Sequence, residues 1–255
     1  MTEFDLVDAG GCVATAALHV GHEMRGTLGS LCLLDPLVRL REEDPHTDTI
    51  ADVGVSRIVA HRSRFEVDLN RPRSHAVYRD PADAWGLDVW RDEPSTDEVD
   101  RSLAIYDRFH SAAGRLLDAS VAAHGAAVVF DVHSYNHRRG GPGAPPDDPS
   151  ANPEVNVGTG TLDTERWSPL VARTLGHFSA AGLDARENIR FLGGHFPAWA
   201  HRRYRGRVAV IALEFKKTFM DEWTGEVDID AVKRLRAVLA GCVPIAEDAV
   251  AQVRL

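Results

Sequence analysis

The stretch FDVHSYNH, which spans Phe130–His137, decides how the rest of the chain is interpreted. It follows the apolar run 126–129, whose β-branched residues are typical of a buried strand in a sheet covered on both faces. The run RRGGPG at 138–143 cannot continue a strand, so His133 is predicted where a central strand passes into a long loop. Ligands of open α/β sheets bind outside the carboxyl ends of the strands. The position therefore predicts a metal ligand or proton carrier that Asp131 could orient, although a purely structural Asp–His pair would give the same pattern.

The length, composition and net charge of the chain limit the classes of protein to which it can belong. With 255 residues, 44% of them apolar and 26% charged, the chain predicts a single α/β domain over residues 1–255. A net charge of -9 argues against a general nucleic-acid or membrane-surface binder, and no apolar run approaches the roughly 20 residues of a membrane span. The acidic N-terminus lacks a signal-peptide pattern, and three widely spaced cysteines are typical of a reducing compartment. We therefore expect a cytoplasmic protein without a nucleic-acid or membrane partner.

Two further apolar runs end in residues that can carry chemistry. The run 12–18 leads to His19, and the run 208–213 leads to Glu214. His22 follows His19 by three residues, which is a spacing found between metal ligands that share one turn. Both histidines could also be solvated loop residues, but a second histidine at the end of a strand favours the ligand interpretation for His19.

An acidic run, REEDPHTD at 41–48, lies between these strands. Glu42 and Glu43 are expected on a solvated face, because runs of charge are usually exposed. Asp48 is predicted near the start of a short helix that runs through Val53, where it either caps the helix or binds a metal.

The other segments complete an alternating pattern of strands and helices. Strands are predicted at 55–61 and 155–159, and helices at 98–123 with a break near Gly114, at 164–181, and at 228–250 with a bend or split at Pro244. The segment 140–153 is rich in Gly, Pro, Asp and Ser, so it is predicted to be a long loop.

Arg71 stands out among the six arginines between 57 and 79. It lies between Asn70 and Pro72, which makes it a candidate for a fixed guanidinium that binds a carboxylate with two hydrogen bonds.

Two histidines and one carboxylate with an open fourth position are the ligands of a hydrolytic zinc site. A second carboxylate must then move the proton from water to the leaving group. The chain contains neither a Gly-x-Ser-x-Gly motif nor a phosphate-binding Gly-Lys-Ser/Thr loop, so serine hydrolases and P-loop proteins have no support.

The order of these motifs resembles that of the N-formylglutamate amidohydrolase family, which is related in fold to zinc carboxypeptidases and aspartoacylase. The matching segments are Leu18–Gly21, Thr47–Asp48, Ser63–Arg71, Asp131–Ser134, Gly193–Gly194 with Tyr204, Leu213–Glu214 and Met220–Glu222. Each motif is weak by itself, but their common order over nearly the whole chain is specific.

The resemblance implies a three-layer α/β/α fold with a central mixed sheet and one zinc ion. The residues it assigns are His19, Asp48 and His133 as metal ligands, Glu214 as general base, and Asn70, Arg71 and Gly194 as substrate-binding residues. Arg64 is the arginine expected to stabilise an oxyanion. Carboxypeptidases take two ligands from His-x-x-Glu, and His19 and His22 have that spacing, so His22 and Glu23 remain alternatives to Asp48.

We therefore expect a zinc-dependent hydrolase of the amide bond of a small N-acyl amino acid, such as N-formyl-L-glutamate. The alternatives are a carboxypeptidase-like hydrolase of a peptide or amino-acid conjugate, and a non-catalytic ligand-binding relative. Leu18 and Val20 depart from the family pattern around His19, as does the pair Arg138–Arg139. Because of these departures, the sequence predicts the type of reaction more firmly than the identity of the substrate.

Overall fold

The computed structural model describes residues 2–253 and contains one seven-stranded mixed sheet. Its strands are β1 (Phe4–Val7), β2 (Val13–Ala17), β3 (Ser56–Ala60), β4 (Ala127–Tyr135), β5 (Val155–Gly158), β6 (Ala185–Glu187) and β7 (Val208–Lys216). They lie side by side in the order β1-β3-β2-β4-β7-β5-β6.

Within residues 2–253, eight α-helices connect and cover the strands. They are α1 (Gly26–Leu31), α2 (Pro36–Glu42), α3 (Thr47–Ile50), α4 (Thr96–His124), α5 (Thr164–Ala180), α6 (His195–Tyr204), α7 (Ile229–Ala240) and α8 (Cys242–Val253). Two short 3-10 helices occur at Arg73–His75 and Pro81–Ala84.

The centre of the sheet is parallel, and this determines where the candidate site lies. β3, β2, β4 and β7 pair in parallel, whereas β1 and β5 join them antiparallel. Parallel neighbours have their carboxyl ends at the same edge of the sheet, so residues that follow β2 meet residues at the ends of β4 and β7. In the β4–β7 ladder, His133 pairs directly with Glu214.

Helices pack on both faces, because the central strands are apolar on both sides. One core layer joins the sheet to α4 and α6, with Phe109 and Phe196 fully buried. The other joins it to α5, α7 and α8, with Trp167 and Phe178 fully buried. Burying each such aromatic side chain contributes about 1.5–3 kcal/mol. The predicted three-layer α/β/α architecture with a mixed sheet is confirmed.

Two helix predictions were wrong in detail. α4 runs through Gly114 without a break, since about 1 kcal/mol for one glycine does not outweigh packing along a 29-residue helix. The C-terminal helical region splits at Gly241, and Pro244 lies in the first turn of α8, where a missing N–H costs little. A Cβ at Gly241 would lie 2.4 Å from the His177 ring, so close packing explains the glycine there.

The sequence patterns did not predict the edge strands β1 and β6 or helix α6, which are short or mostly polar. The predicted loop at 140–153 contains no helix or strand. Within residues 2–253, no helix has both the length and the hydrophobicity needed to cross a membrane.

Candidate functional site

Three neighbouring strands bring the predicted strand-end residues together. His19 lies two residues beyond β2, His133 lies near the end of β4, and Glu214 lies near the end of β7. Both histidines are almost fully buried, at 3% and 2% exposure. Their ring centroids are 4.9 Å apart, so they face each other at the floor of a cavity.

Asp44 lies between the two histidines. Its Oδ2 is 2.9 Å from Nδ1 of His133 and 3.5 Å from Nδ1 of His19. One ligand atom from each of the three residues lies within 4.8 Å of the others, and all three residues are buried. This His19–Asp44–His133 cluster is the group of potential metal ligands found among residues 2–253.

The structure places Asp48 outside this cluster, and the acid that lies between the two histidines is Asp44 in place of the predicted Asp48. Asp48 lies in the first turn of α3, partly exposed, and its carboxylate accepts a hydrogen bond from Thr49. A carboxylate there also favours the helix dipole. Asp44 precedes α3 and points inward instead. The expectation that Glu43 is solvated was also wrong, because Glu43 is fully buried.

The sequence contains little signal for Asp44, which lies inside a charged run. Its one distinguishing local feature is the Pro45 that follows it between α2 and α3, and this break does not by itself identify a metal ligand.

His22 lies outside the cluster as well. Its Nδ1 is 2.5 Å from Glu43 Oε2, and Arg39 contacts its other ring nitrogen at 3.2 Å. Glu43 also accepts a hydrogen bond from Ser63 at 2.5 Å. This network holds Glu43, the residue directly before Asp44.

Lys217, which comes much later in the sequence, also holds the backbone before Asp44. Its buried ammonium donates hydrogen bonds to the carbonyl oxygens of Arg41 at 2.6 Å and Glu43 at 2.7 Å. Burial lowers the pKa of Lys217, against the charges of Asp44 and Glu42. Sequence reasoning missed this residue, because a lysine after a strand is usually solvated.

A second layer of carboxylates holds the outer nitrogens of the histidines. His19 Nε2 lies 2.7 Å from Asp68 Oδ1, and His133 Nε2 lies 3.1 Å from Asp131 Oδ2. Asp131 is therefore close enough to form an ion pair with His133, and its role in orienting the imidazole stays a prediction. Asp68 is itself bound by Arg64 at 2.9 Å and by the Tyr78 hydroxyl. Histidines that bind metals through one nitrogen typically donate the other N–H to a carboxylate in this way.

The charges in this cluster depend strongly on one another. Burial alone would raise the pKa of Asp44, but hydrogen bonds from His133 and His19 hold it well below its usual value. Burial alone would lower the pKa of His133, but Asp131, Asp44 and Glu214 raise it well above its usual value. The protonation states of these residues therefore depend on one another, and a bound cation would change them.

The donor set fits a divalent metal such as zinc. Two imidazole Nδ1 atoms and one carboxylate oxygen converge, the outer nitrogens are fixed, and the cluster opens towards the cavity.

Glu214 is the other carboxylate at the cavity floor. Burial raises its pKa to about 7, with His133 opposing this shift and Asp44 adding to it. A carboxylate with a pKa near neutral can both accept and return a proton. Glu214 pairs in register with His133, so its position beside the cluster is set by the sheet.

The remaining predicted residues line the same cavity of about 1090 Å³, in which they surround the cluster. Asn70 Nδ2 lies 3.4 Å from His133 Nε2, and Asn70 Oδ1 accepts a hydrogen bond from the Phe196 backbone at 2.8 Å. The Arg71 side chain is 39% exposed. Gly194 packs so closely on Asn70 that a Cβ would lie 2.4 Å from its amide.

Arg64 lies at the wall of this cavity and is held from several sides. Its guanidinium bonds to Tyr78, Asp68 and the carbonyl oxygen of Glu42, and it stacks over Trp85 at 4.7 Å. Its charge is therefore fixed in position beside Asp68 and the histidines.

Comparisons with known proteins show which family the chain resembles. The family model described as N-formylglutamate amidohydrolase matches residues 13–220. The N-formylglutamate deformylase of Pseudomonas aeruginosa is 29% identical over 193 residues, which cover 69% of this chain and 68% of that protein.

Two solved structures share the fold over the whole chain. The crystal structure of an N-formylglutamate amidohydrolase from Ralstonia eutropha JMP134 superposes with a TM-score of 0.76 and 17% identity, covering 100% of this chain and 99% of that one. A gene product of Agrobacterium tumefaciens gives a TM-score of 0.66 and 16% identity, with coverage of 100% and 97%. At these identities the structures support the fold alone.

Proposed function

The chain belongs to the N-formylglutamate amidohydrolase family, and from this premise we propose that it is a metal-dependent amidohydrolase of small N-acyl amino acids. The proposed substrate is N-formyl-L-glutamate or a close analogue, which is cleaved to a carboxylate and the free amino acid. The observation that carries this proposal is the buried His19–Asp44–His133 cluster with Glu214 beside it.

We assign His19, Asp44 and His133 as the residues that hold the metal. A divalent ion such as zinc, when bound there, polarises the substrate carbonyl and makes water more acidic. Asp68 and Asp131 keep the two imidazoles in the orientation in which Nδ1 faces Asp44.

Glu214 acts as the general base and then as the acid. It takes a proton from the attacking water and delivers it to the leaving nitrogen, so that the amide bond breaks with release of a neutral amine. A pKa of about 7 suits both steps. The fixed guanidinium of Arg64 can stabilise negative charge that develops on the carbonyl oxygen.

Asn70 and Arg71 bind the carboxylate of the amino acid. Asn70 is held by backbone N–H groups in the first turn of α6, and Arg71 lines the cavity beside it. A guanidinium can bind a carboxylate through two parallel hydrogen bonds.

Release of formate from N-formyl-L-glutamate by zinc-loaded protein tests the proposal. We expect release that stops on addition of a chelator and returns with added zinc. Glu214→Gln should lower kcat by about 100-fold or more while one zinc per chain is still bound, because the amide cannot accept the proton. Full activity of this variant would contradict the assigned mechanism.

A second candidate is hydrolysis of a larger amino-acid conjugate or peptide. It is favoured by the cavity, whose volume of about 1090 Å³ far exceeds that of a formylated amino acid. A panel of N-acyl amino acids and dipeptides, ranked by kcat/KM, separates the two candidates. Binding of these compounds without turnover would instead support the non-catalytic alternative.

A further inference from the structure

Two arginines of the cavity have no carboxylate partner among residues 2–253. Three other arginines line the cavity and form ion pairs: Arg41 with Glu42 at 3.2 Å, Arg64 with Asp68 at 2.9 Å, and Arg71 with Asp68 at a longer 3.9 Å. Arg139 and Arg190 donate only to neutral oxygens in the described part of the chain. Their charges are therefore available to a ligand.

Arg190 is fixed in place before any ligand binds. Its NH1 donates to Asn152 Oδ1 at 2.9 Å, and its backbone N–H donates to Asn156 Oδ1 at 2.8 Å. Its guanidinium lies 5.4 Å from the ring centroid of Tyr135 and 5.3 Å from that of Phe191. A guanidinium stacked on aromatic rings loses little conformational entropy when it binds an anion.

The Nε of Arg190 is buried and has no hydrogen-bond partner within residues 2–253. Leaving a buried charged donor unpaired is costly, so Arg190 is a cation whose hydrogen-bonding capacity the described residues do not fully satisfy.

Arg139 lies at the same wall of the cavity. It follows the end of β4, where its NH2 donates to the carbonyl oxygen of Asn136 at 3.1 Å. Arg190 stacks on Tyr135, the last residue of β4, so both arginines lie beside the end of this strand. Arg139 is exposed, which leaves its remaining donors free to turn into the cavity.

This wall differs from the one that carries Arg71. Asn156, which holds Arg190, pairs with Glu214 across β5 and β7. Arg71 comes instead from the segment after β3, next to Asp68 and His19. The candidate cluster therefore has a cationic group on the β2–β3 side and a second one on the β5–β6 side.

We propose that Arg139 and Arg190 form a second anion-binding subsite, which holds a second carboxylate of the substrate while Arg71 holds the first. This inference rests on the proposed amidohydrolase function and assigns two residues of this chain to the recognition of a second substrate carboxylate. The second carboxylate belongs either to the side chain of the amino acid or to the acyl group, and matched substrates distinguish these two sources.

The test compares kcat/KM for two pairs of substrates, and the members of each pair differ by one charge. The first pair is N-formyl-L-glutamate and N-formyl-L-glutamine, and the second is N-succinyl-L-alanine and N-succinamoyl-L-alanine. We expect the charged member of one pair to be preferred by about 10- to 100-fold, which is the range expected of charge-assisted hydrogen bonds. The pair that shows the preference identifies the source of the carboxylate.

Variants at Arg139 and Arg190 test whether these two arginines cause the preference for the charged substrate. Arg190→Gln together with Arg139→Gln should reduce it to within about threefold, whereas Arg190→Lys should keep part of it, because the charge remains. Arg71→Gln should lower kcat/KM for all four substrates. Arg173→Gln is the matched control, since Arg173 pairs with Asp248 on the surface, and it should change nothing.

Calorimetric binding separates the failure of this inference from the failure of the proposed function. L-Glutamate is compared with L-glutamine, and succinate with succinamate, on wild type and on the double variant. Turnover of all four substrates without a charge preference overturns the subsite and leaves the function. Absence of turnover, with tighter binding of one charged ligand that the double variant loses, keeps the subsite and rejects the function. Equal binding within both ligand pairs also overturns the subsite.

Discussion

Asp44 and Asp48 are four residues apart and have different environments. Asp44 is 2% exposed and contacts both histidines of the cluster, whereas Asp48 begins α3 with its carboxylate near solvent. Local sequence cannot separate them, since both are acids beside the same short helix. Only the direction of the chain at Pro45 decides which carboxylate points inward.

The replacement Asp44→Asn tests this assignment directly. The asparagine keeps the size of the side chain but lacks its charge, so we expect zinc affinity to fall by about 100-fold or more. Zinc titration and metal analysis of the purified protein measure the effect.

Asp48→Asn is the matched control and should retain about one zinc per chain. If Asp48→Asn lost the metal while Asp44→Asn kept it, the ligand set would be the one that the sequence patterns predicted. Circular dichroism of both variants shows whether each remains folded.

The turn that precedes α6 packs against the loop that carries Asn70. The Gly193–Gly194 turn after β6 presses against Asn70, which in turn lies beside His133. The backbone N–H groups of His195 and Phe196 bond to Asn70, so α6 and the Asn70 loop are locked together. Gly194 has an ordinary negative φ of -101°, and the requirement for glycine is therefore one of space.

Gly194→Ala should displace Asn70 and thereby misplace the substrate. A Cβ at 2.4 Å from the Asn70 amide cannot be accommodated without movement, and we expect kcat/KM to fall by about 10- to 100-fold. Zinc affinity should change far less, because the ligands come from other segments. Steady-state kinetics and zinc titration give the two readouts.

Gly176→Ala is the control for this substitution. Gly176 lies within α5, and a Cβ there would meet nothing within 4 Å. This variant should keep its activity and gain up to about 1 kcal/mol of stability from the higher helix propensity of alanine. A loss of activity equal to that of Gly194→Ala would contradict the steric explanation.

The protein as a whole buries several histidines that titrate far from their usual range. His110, on α4, is 8% exposed and stacks on Tyr106 at 4.1 Å beside Trp199. Burial lowers its pKa to about 4, and burial likewise lowers the pKa of His201 to about 4. Both remain neutral in the folded state under conditions that protonate them in the unfolded chain.

This difference makes stability depend on pH with a definite sign. Below pH 6.5 the unfolded chain takes up a proton at His110, and the folded protein does so only near pH 4. Stability is therefore lost as the pH falls from 6.5 towards 4, by about 2–3 kcal/mol for this residue.

His110→Phe should reduce that loss, because phenylalanine can stack in the same place and carries no titrating group. The measurement is the free energy of unfolding in urea at pH 7 and pH 5 for both proteins. The difference between their pH dependences isolates His110 from Glu214 and His133, whose raised pKa values act in the opposite direction. Equal pH dependences would show that His110 already titrates normally in the folded state.

Much of the architecture is determined by the sequence alone. The apolar runs that became β2, β4 and β7 are local features, and each needs only its own residues to predict a strand that ends in His19, His133 or Glu214. The rule that parallel strands place their carboxyl ends at one edge then predicts that these side chains meet.

Only the tertiary structure shows which acid lies with His19 and His133, and which arginines of the cavity have no carboxylate partner among residues 2–253. The backbone that leads into Asp44 is held by Lys217, 173 residues further along the chain, which donates hydrogen bonds to the carbonyl oxygens of Arg41 and Glu43. Among residues 2–253, Arg190 has no carboxylate partner, because its contacts there are an amide oxygen and aromatic rings. Such contacts join segments that are distant in sequence, so no local pattern of apolar or charged residues encodes them.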